Sequence, residues 1–271
     1  MTELPSTAQV VIVGAGPAGL AAAAALATRG IAVHVLDREA ETGGIPRHCA
    51  HSPYGWREFR RAMRGPAYAR ALTAAARSAG ARLHPGVTVT ALHPGGRVAV
   101  TGADGPGEIA AGLVLVATGA RESSRAARLI GGTRPGGVLN TGALQGLVHL
   151  EGLRPFRHPV VAGTELVSFS ALLTCQSAGI RPRAMIEPGP RITARRPAGL
   201  LPRLLGVPLH LGTRLTAIHG RQRVEAVTVE IGGRARQIAT DGVILTGGFR
   251  PEAALIRGSH LAFDPRTGGP E

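Results

Sequence analysis

The chain has 271 residues, 44% of them hydrophobic and 18% charged, which is enough for a substantial core or two domains and too apolar for a disordered chain. Its formal charge is +14, carried by arginine alone because no lysine occurs, and aromatic residues make up only 3%. The arginines are scattered and no nucleic-acid-reading motif accompanies them. Arginine in place of lysine, with abundant Ala and Gly, reads more as a coding bias than as a binding surface; no nucleic acid is expected, and an acidic protein partner or anionic cofactor is the better electrostatic complement.

The chain is organised around its start. Val10 to Val13 has the length and β-branching of a buried parallel strand. Gly14, Gly16 and Gly19 follow in G-x-G-x-x-G spacing and open an alanine-rich helix; a second apolar run, Ala32 to Leu36, ends in Asp37. Strand, glycines, helix, strand and terminal acid together form a complete dinucleotide fingerprint. Gly14 permits the tight turn, Gly16 lets a pyrophosphate approach the backbone, and Gly19 lets helix and strand pack closely. The helix N-terminus offers free N–H groups and partial positive charge to the phosphates. Asp37 can accept hydrogen bonds from a ribose diol.

After Asp37, Gly43-Gly44 makes a flexible turn and Ile45-Pro46 sets an extended segment. His48, Cys49 and His51 lack the further ligands a metal shell needs, so no metal is expected. Arg57 to Ala79 has helical periodicity, interrupted at Gly65-Pro66, with Trp56 and Phe59 expected to pack. Arg82 to Leu92 reads as a strand. Gly95-Gly96 and Asp104-Gly105 are turn signals around a further strand, Arg97 to Val100, giving a β-meander. Leu113 to Glu122 is an apolar strand ending in Ala117-Thr118-Gly119. In a doubly wound sheet that turn lies beside the first glycine loop.

The fingerprint, Gly43-Gly44, the meander and ATGARE, in this order, resemble the two-dinucleotide-fold flavoproteins of the pyridine nucleotide–disulfide oxidoreductase superfamily. The resemblance covers nearly the whole chain. It implies an α/β fold: a Rossmann-like FAD-binding domain with a parallel sheet and β-meander insert, and an inserted second Rossmann-like domain of NAD(P) type. It implies that the first βαβ unit binds FAD. Gly14, Gly16, Pro17, Ala18 and Gly19 would then meet the pyrophosphate and Asp37 the adenosine ribose, with Arg38 also in the cofactor-binding set. Gly44, Ile45, Arg47, His48, Ala117, Thr118 and Gly119 would lie toward the flavin, with Val89 completing the cofactor-binding set. For Arg47 and His48, an ordinary solvated loop is the competing reading.

Ser123 to Arg157 is a Gly-, Arg- and Pro-rich connector with one helix expected around Thr141 to Leu150. A second βαβ unit follows: strand Pro159 to Ala162, helix Glu165 to Ala178, strand Arg183 to Ile186 and terminal Glu187. Aligned with the first unit, Gly163 takes the place of Gly14 and Glu187 that of Asp37, but Glu165 replaces Gly16 and Ser168 replaces Gly19. A carboxylate at the middle glycine brings bulk and like charge to the pyrophosphate position, which disfavours NAD(P). The competing reading is a favourable first-turn acid. More β-structure is expected at Arg214 to Ile218, Val224 to Ile231 and Arg236 to Ile238. Asp241 to Leu255 then repeats the ATG-type strand end as Thr246-Gly247-Gly248, which in the superfamily marks the return to the FAD domain. The expected boundaries are 1–123 for the first part of the FAD domain, 124–157 for the connector, 158–247 for the degenerate NAD(P)-like domain and 248–271 for an incomplete return segment.

Three segments, GGIPRHCAHSPYGWREFRRAMRGPAYARAL, GTELVSFSALL and TGGFRPEAAL, resemble one branch of the superfamily. It comprises the α-type subunits of opine oxidase and of D-hydroxyproline or proline dehydrogenase, and the B-type subunit of hydrogen cyanide synthase. This implies an FAD-carrying subunit in a hetero-oligomer, whose second flavoprotein subunit oxidises a small amine or imino acid. Such relatives commonly continue with a last FAD-contacting segment and a [2Fe–2S] region; neither is in this chain, which reads as C-terminally truncated. The competing readings are an NAD(P)H-dependent flavin or disulfide reductase and a non-catalytic assembly subunit or fragment. No nucleophile or acid–base pair stands out, so no catalytic residue is assigned. No apolar run can span a bilayer and no secretory leader is evident, so no membrane association is expected. The two distant cysteines, Cys49 and Cys175, fit a reducing cytoplasm.

Overall fold

The computed structural model describes residues 4–195 and 197–269. Residues 1–3, Arg196 and residues 270–271, which fall within the expected domain ranges, lie outside the described residues. The chain divides into two units, one of residues 1–121 and 250–271, the other of residues 122–249.

In the first unit, the apolar run forms β1 (Thr7–Val13), α1 (Pro17–Ala27) follows the glycines, and β2 (Val33–Asp37) pairs in parallel with β1. The helical stretch Arg57 to Ala79 is interrupted as expected, but the break falls at residues 60–64, and Gly65-Pro66 opens the second segment instead of dividing the two. A short α2 (Trp56–Phe59) sits in a loop closed by a two-way backbone bridge between Tyr54 and Met63, and α3 (Gly65–Ser78) follows. The expected strand Arg82 to Leu92 is also two elements, β3 (Arg82–Pro85) and β4 (Thr88–His93), parted where Gly86 takes φ +76. The meander continues with β5 (Arg97–Gly102) and β6 (Gly105–Val116).

The sheet order is β3-β2-β1-β6-β5-β4. β6 joins its two halves: its first residues pair antiparallel with β5, and from Ala110 onward it pairs parallel with β1. The meander thus extends the parallel sheet. One face packs on α1 and α3 through Ile12, Leu20, Val35 and Leu72; the other is filled by Val11, Leu36, Val98 and Ile109. β7 (Ala120–Arg121) pairs with the returning residues Arg250–Pro251, and a short helix, Ala254–Arg257, follows.

The second unit holds β8 (Gly131–Gly132), β9 (Val138–Asn140), α4 (Thr141–His149), β10 (Val160–Ala162), α5 (Leu166–Ser177) and β11 (Ala184–Ile186). After these come α6 (Leu200–Leu204), β12 (Leu209–His210), β13 (Thr213–His219), β14 (Ala226–Ile231), β15 (Arg234–Ala239) and β16 (Val243–Leu245). A parallel sheet runs β12-β11-β10-β16-β9; a separate sheet runs β15-β14-β13-β8, antiparallel from β15 to β13 and parallel only between β13 and β8. The stretch read as a connector therefore supplies an edge strand, β9, and the α4 helix to this unit. Asn140 caps α4, its side-chain oxygen accepting the Ala143 N–H at 2.7 Å.

Candidate dinucleotide-binding site

In the first unit the glycines stand where their spacing places them. Gly14 has φ +108, and a Cβ there would lie 2.5 Å from the Ala117 carbonyl oxygen. A Cβ on Gly19 would lie 1.9 Å from the Gly14 oxygen, so both positions exclude side chains for packing reasons. Gly16 differs. It is the N-cap of α1 in extended backbone (φ −77, ψ −177), and a Cβ on it would meet nothing within 4 Å. The space above the helix start is open, as a pyrophosphate approaching the backbone requires. Pro17 and Ala18 form the first turn of α1.

Asp37 closes β2 beside this turn. Its Oδ2 accepts the Ala15 N–H at 2.6 Å, and its Oδ1 accepts the Glu39 N–H at 2.9 Å. The carboxylate thus holds the glycine turn, and each oxygen keeps a lone pair for a ribose hydroxyl. Arg38 projects outward with only a 3.7 Å contact to Glu39. Val89 lies at the β4 bulge, half-buried against the core cluster that contains Val13 and Leu36.

The loop after β2 folds back onto the turn. Gly43 donates its N–H to the Ala15 carbonyl at 2.8 Å, and a Cβ on Gly44 would lie 2.8 Å from the Gly16 Cα. Ile45 begins a short 3-10 turn, Ile45–His48, and is 55% exposed beside Gly44. Arg47 is largely buried, and one terminal nitrogen reaches Glu41 at 3.1 Å. Its Nε is buried without a hydrogen-bond partner, an orphaned donor next to the open turn. On the other flank, Ala117 donates its N–H to the Val13 carbonyl, and the Thr118 hydroxyl donates to the Glu252 carbonyl at 2.7 Å. Gly119 (φ +80) accepts the Glu252 N–H at 2.9 Å.

The structure therefore gathers Gly14 to Gly19, Asp37, Gly44, Ile45 and Ala117 around one turn. Arg38 is exposed, and Val89 is half-buried beside the sheet core. Two participants escape the sequence reading. Gly43 ties the loop to the turn, and its glycine pair was the available signal. Glu252 braces Thr118 from the returning segment, and nothing in the sequence pointed to it. An open cradle, an orphaned guanidinium nitrogen and an acid at the ribose position fit FAD.

The second unit repeats the layout with a different centre. Gly163 has φ +124 and backs onto Thr246, as Gly14 backs onto Ala117. Glu187 is buried; it accepts the Thr164 hydroxyl and the Gly189 N–H (3.0 Å), much as Asp37 holds its own turn. Glu165, the N-cap of α5, folds its carboxylate across Gly247-Gly248. It accepts the Gly248 N–H at 2.8 Å, and a Cβ on Gly247 would lie 2.3 Å from its carboxyl carbon. Glu122 is also buried there, bridging the Gly142 and Gly247 N–H groups at 3.0 Å each. Burial lowers the Arg128 pKa, with Glu122 and Glu165 acting in the opposite sense; its guanidinium donates to the Thr246 and Gly247 carbonyls. An open groove of about 830 Å³ flanks Glu165, walled by Leu166, Ala198, Leu200, Leu201 and Leu204.

Residues 7–55 match the family model described as FAD binding domain. The chain is 30% identical over 145 residues to the alpha subunit of sarcosine oxidase from Rhizobium meliloti (strain 1021). It is 31% identical over 185 residues to the A-type subunit of opine oxidase from the same organism. These alignments take in 53% and 65% of this chain but only 14% and 38% of the relatives, so the chain spans less than half the length of either. Thioredoxin reductase of T. acidophilum superposes with a TM-score of 0.75 at 23% identity, covering 97% of this chain and 84% of that one. L-Proline dehydrogenase of P. horikoshii superposes at 0.69 with 19% identity, covering 95% and 46%. The fold is thus the two-dinucleotide fold that the sequence resemblance implied. The resemblance to opine oxidase subunits is matched by a relative of that name.

Proposed function

We propose that this chain is the FAD-carrying subunit of an FAD-dependent oxidoreductase of the amine or imino-acid class, working with a second flavoprotein subunit. One observation carries the reading: within an FAD-type βαβ unit, Gly16 is extended, uncrowded and open above a helix N-terminus. Gly14 to Gly19 would hold the pyrophosphate through backbone N–H groups. Asp37 would receive the adenosine ribose while keeping the turn in place. Arg47 would supply its unpaired Nε–H toward the flavin side, with Gly44, Ile45 and Thr118 forming the walls. When bound, FAD supplies two-electron chemistry; the protein supplies position and electrostatics. The names of the two curated relatives, both subunits of oxidases, favour the hetero-oligomer.

A second reading, an NAD(P)H-dependent reductase, draws on the likeness to thioredoxin reductase. The Glu165 carboxylate opposes it, because it fills the turn where a second dinucleotide's phosphates belong and already takes the Gly248 N–H. Anaerobic mixing separates the two. The flavin-loaded chain should keep its visible band with NADH or NADPH, and lose it to an amine or imino acid only with the second subunit present. Rapid bleaching at micromolar nucleotide would replace the first reading with the second.

A further inference from the structure

The sequence suggests that Trp56 packs. It does not: the chain's single tryptophan is 69% exposed. The segment carrying it is well fixed. Tyr54 and Met63 exchange two backbone hydrogen bonds of 2.9 and 2.8 Å at its base. Phe59 meets Tyr68 edge-on at 6.0 Å, and Tyr54 stacks on Tyr68 at 5.6 Å, so the aromatic interior of the loop is complete without the indole. Left-handed residues bracket α2: Gly55 at φ +76 and Arg60 at φ +54. A non-glycine residue held there costs about 1 kcal/mol or more, so the surrounding structure fixes this turn.

The charge on this loop is one-sided. Arg57, Arg60, Arg61 and Arg64 are all exposed. Among the described residues none of them enters an ion pair. The loop's one acid, Glu58, is exposed and is outnumbered by these arginines. Gly65, at its base, donates its N–H to the Cys49 and His51 carbonyls at 3.1 and 3.3 Å, which seats the loop on the stretch following Gly44 to His48.

We propose that the 54–63 loop is a docking finger for the second subunit, with Trp56 entering an apolar pocket that carboxylates surround. This rests on the hetero-oligomer reading above and adds where and by what chemistry the partner is held. Tryptophan and arginine are the side chains that most often dominate binding energy at protein interfaces. Three exposed guanidinium groups on the loop, with Arg64 just beyond it, against the single Glu58 carboxylate select an acidic face. A second copy of this chain is a poor match, since it brings the same arginines and a formal charge of +14. The finger's seat beside the flavin-side loop places the docked partner where electrons must pass.

The test isolates the tagged full chain from its source organism and measures the flavoprotein chain retained on it in 1:1 ratio. The retained chain is then titrated back onto wild type, Trp56→Ala, Arg57→Glu/Arg61→Glu and a charge-matched control, Arg234→Glu/Arg236→Glu. Because the replaced side chains are exposed, melting temperatures should be unchanged. The expected result is a roughly tenfold or greater loss of affinity in both finger variants, little change in the control, and a steep salt dependence that the double variant flattens. A retained flavoprotein that binds all four alike overturns the finger and leaves the hetero-oligomer reading intact. Failure of the wild type to retain any flavoprotein chain overturns both. Sedimentation with vesicles containing phosphatidylserine, lost in the finger variants while affinity for the flavoprotein chain is unchanged, would reassign the loop to membrane surfaces and overturn the proposal.

Discussion

Gly16→Leu separates ligand binding from folding. The residue is extended, with φ −77 and ψ −177, a conformation any side chain adopts, and a Cβ there meets nothing within 4 Å. The stability change should therefore stay within about 0.5 kcal/mol, with a small gain available from a stiffer unfolded chain. FAD should fare otherwise. The first bond that α1 closes runs from the Leu20 N–H to the Gly16 carbonyl at 2.9 Å, and the N–H groups ahead of it are those offered to a pyrophosphate. Hydrogen bonds to a charged group are worth about 1.5–3 kcal/mol each. A leucine that displaces two of them costs about 3–6 kcal/mol, a weakening of about 10² to 10⁴-fold. Two measurements decide: the melting temperature without added FAD, and FAD affinity by flavin fluorescence quenching. Wild-type affinity in the variant would refute the assignment of this turn to the pyrophosphate. A large fall in melting temperature would show that the space is not free.

Glu165→Gly should raise NADH affinity at least about tenfold, read by nicotinamide fluorescence, because it removes a like charge from the turn; equal, weak binding in both proteins would show that the carboxylate is not the obstacle. The buried His34 and His84 rings share a 3.0 Å hydrogen bond, and burial followed by the charges of His84 and Arg82 lowers the His34 pKa below its ordinary 6.5. Neutral His34 therefore stabilises the fold fully above pH 6.5, and this contribution is lost as pH falls below that value. The melting temperature should drop between pH 7 and pH 5, and drop less in His34→Gln; parallel profiles would refute this. The Cys175 thiol is pushed up to about 12 by burial, so iodoacetamide at pH 8 should leave it unlabelled until the chain unfolds, and rapid native labelling would contradict the structure.

What was legible in the sequence was local. Val10 to Asp37 carries a strand, a glycine turn, a helix and a strand within one short window, and each residue's role depends on near neighbours. The exchange of Gly16 for Glu165 was also visible as a position. The target of that carboxylate was not, because the Gly248 N–H lies 83 residues away. β9 was hidden for a related reason: three residues in a glycine- and proline-rich stretch carry no periodicity, and the strand exists only because β16 is beside it. Residue type favours burial of Trp56, whereas Tyr54, Phe59 and Met63 fill the space beneath the loop and leave the indole outside.

The two glycine turns show which parts of the motif serve the fold and which serve a ligand. Gly14 and Gly163 share a left-handed conformation and a close approach to the neighbouring strand end, and Asp37 and Glu187 both accept hydrogen bonds from their own turns. These features persist in both units, so they are needed for the βαβ unit to close, with or without a nucleotide. The middle position differs because nothing in the packing constrains it: a Cβ at Gly16 meets no atom, and Glu165 at the matching place is extended too, with φ −69 and ψ 166. A position free of packing cost can change with little loss of stability, so only ligand binding would hold it as glycine. Glycine at 16 and glutamate at 165 are then what one fold used once for a dinucleotide, and once for an internal carboxylate, would carry. Asp37 belongs to both classes. Its replacement by alanine would strip the Ala15 N–H of its partner as well as the ribose of its acceptor, and the resulting loss of FAD could not be separated from damage to the turn.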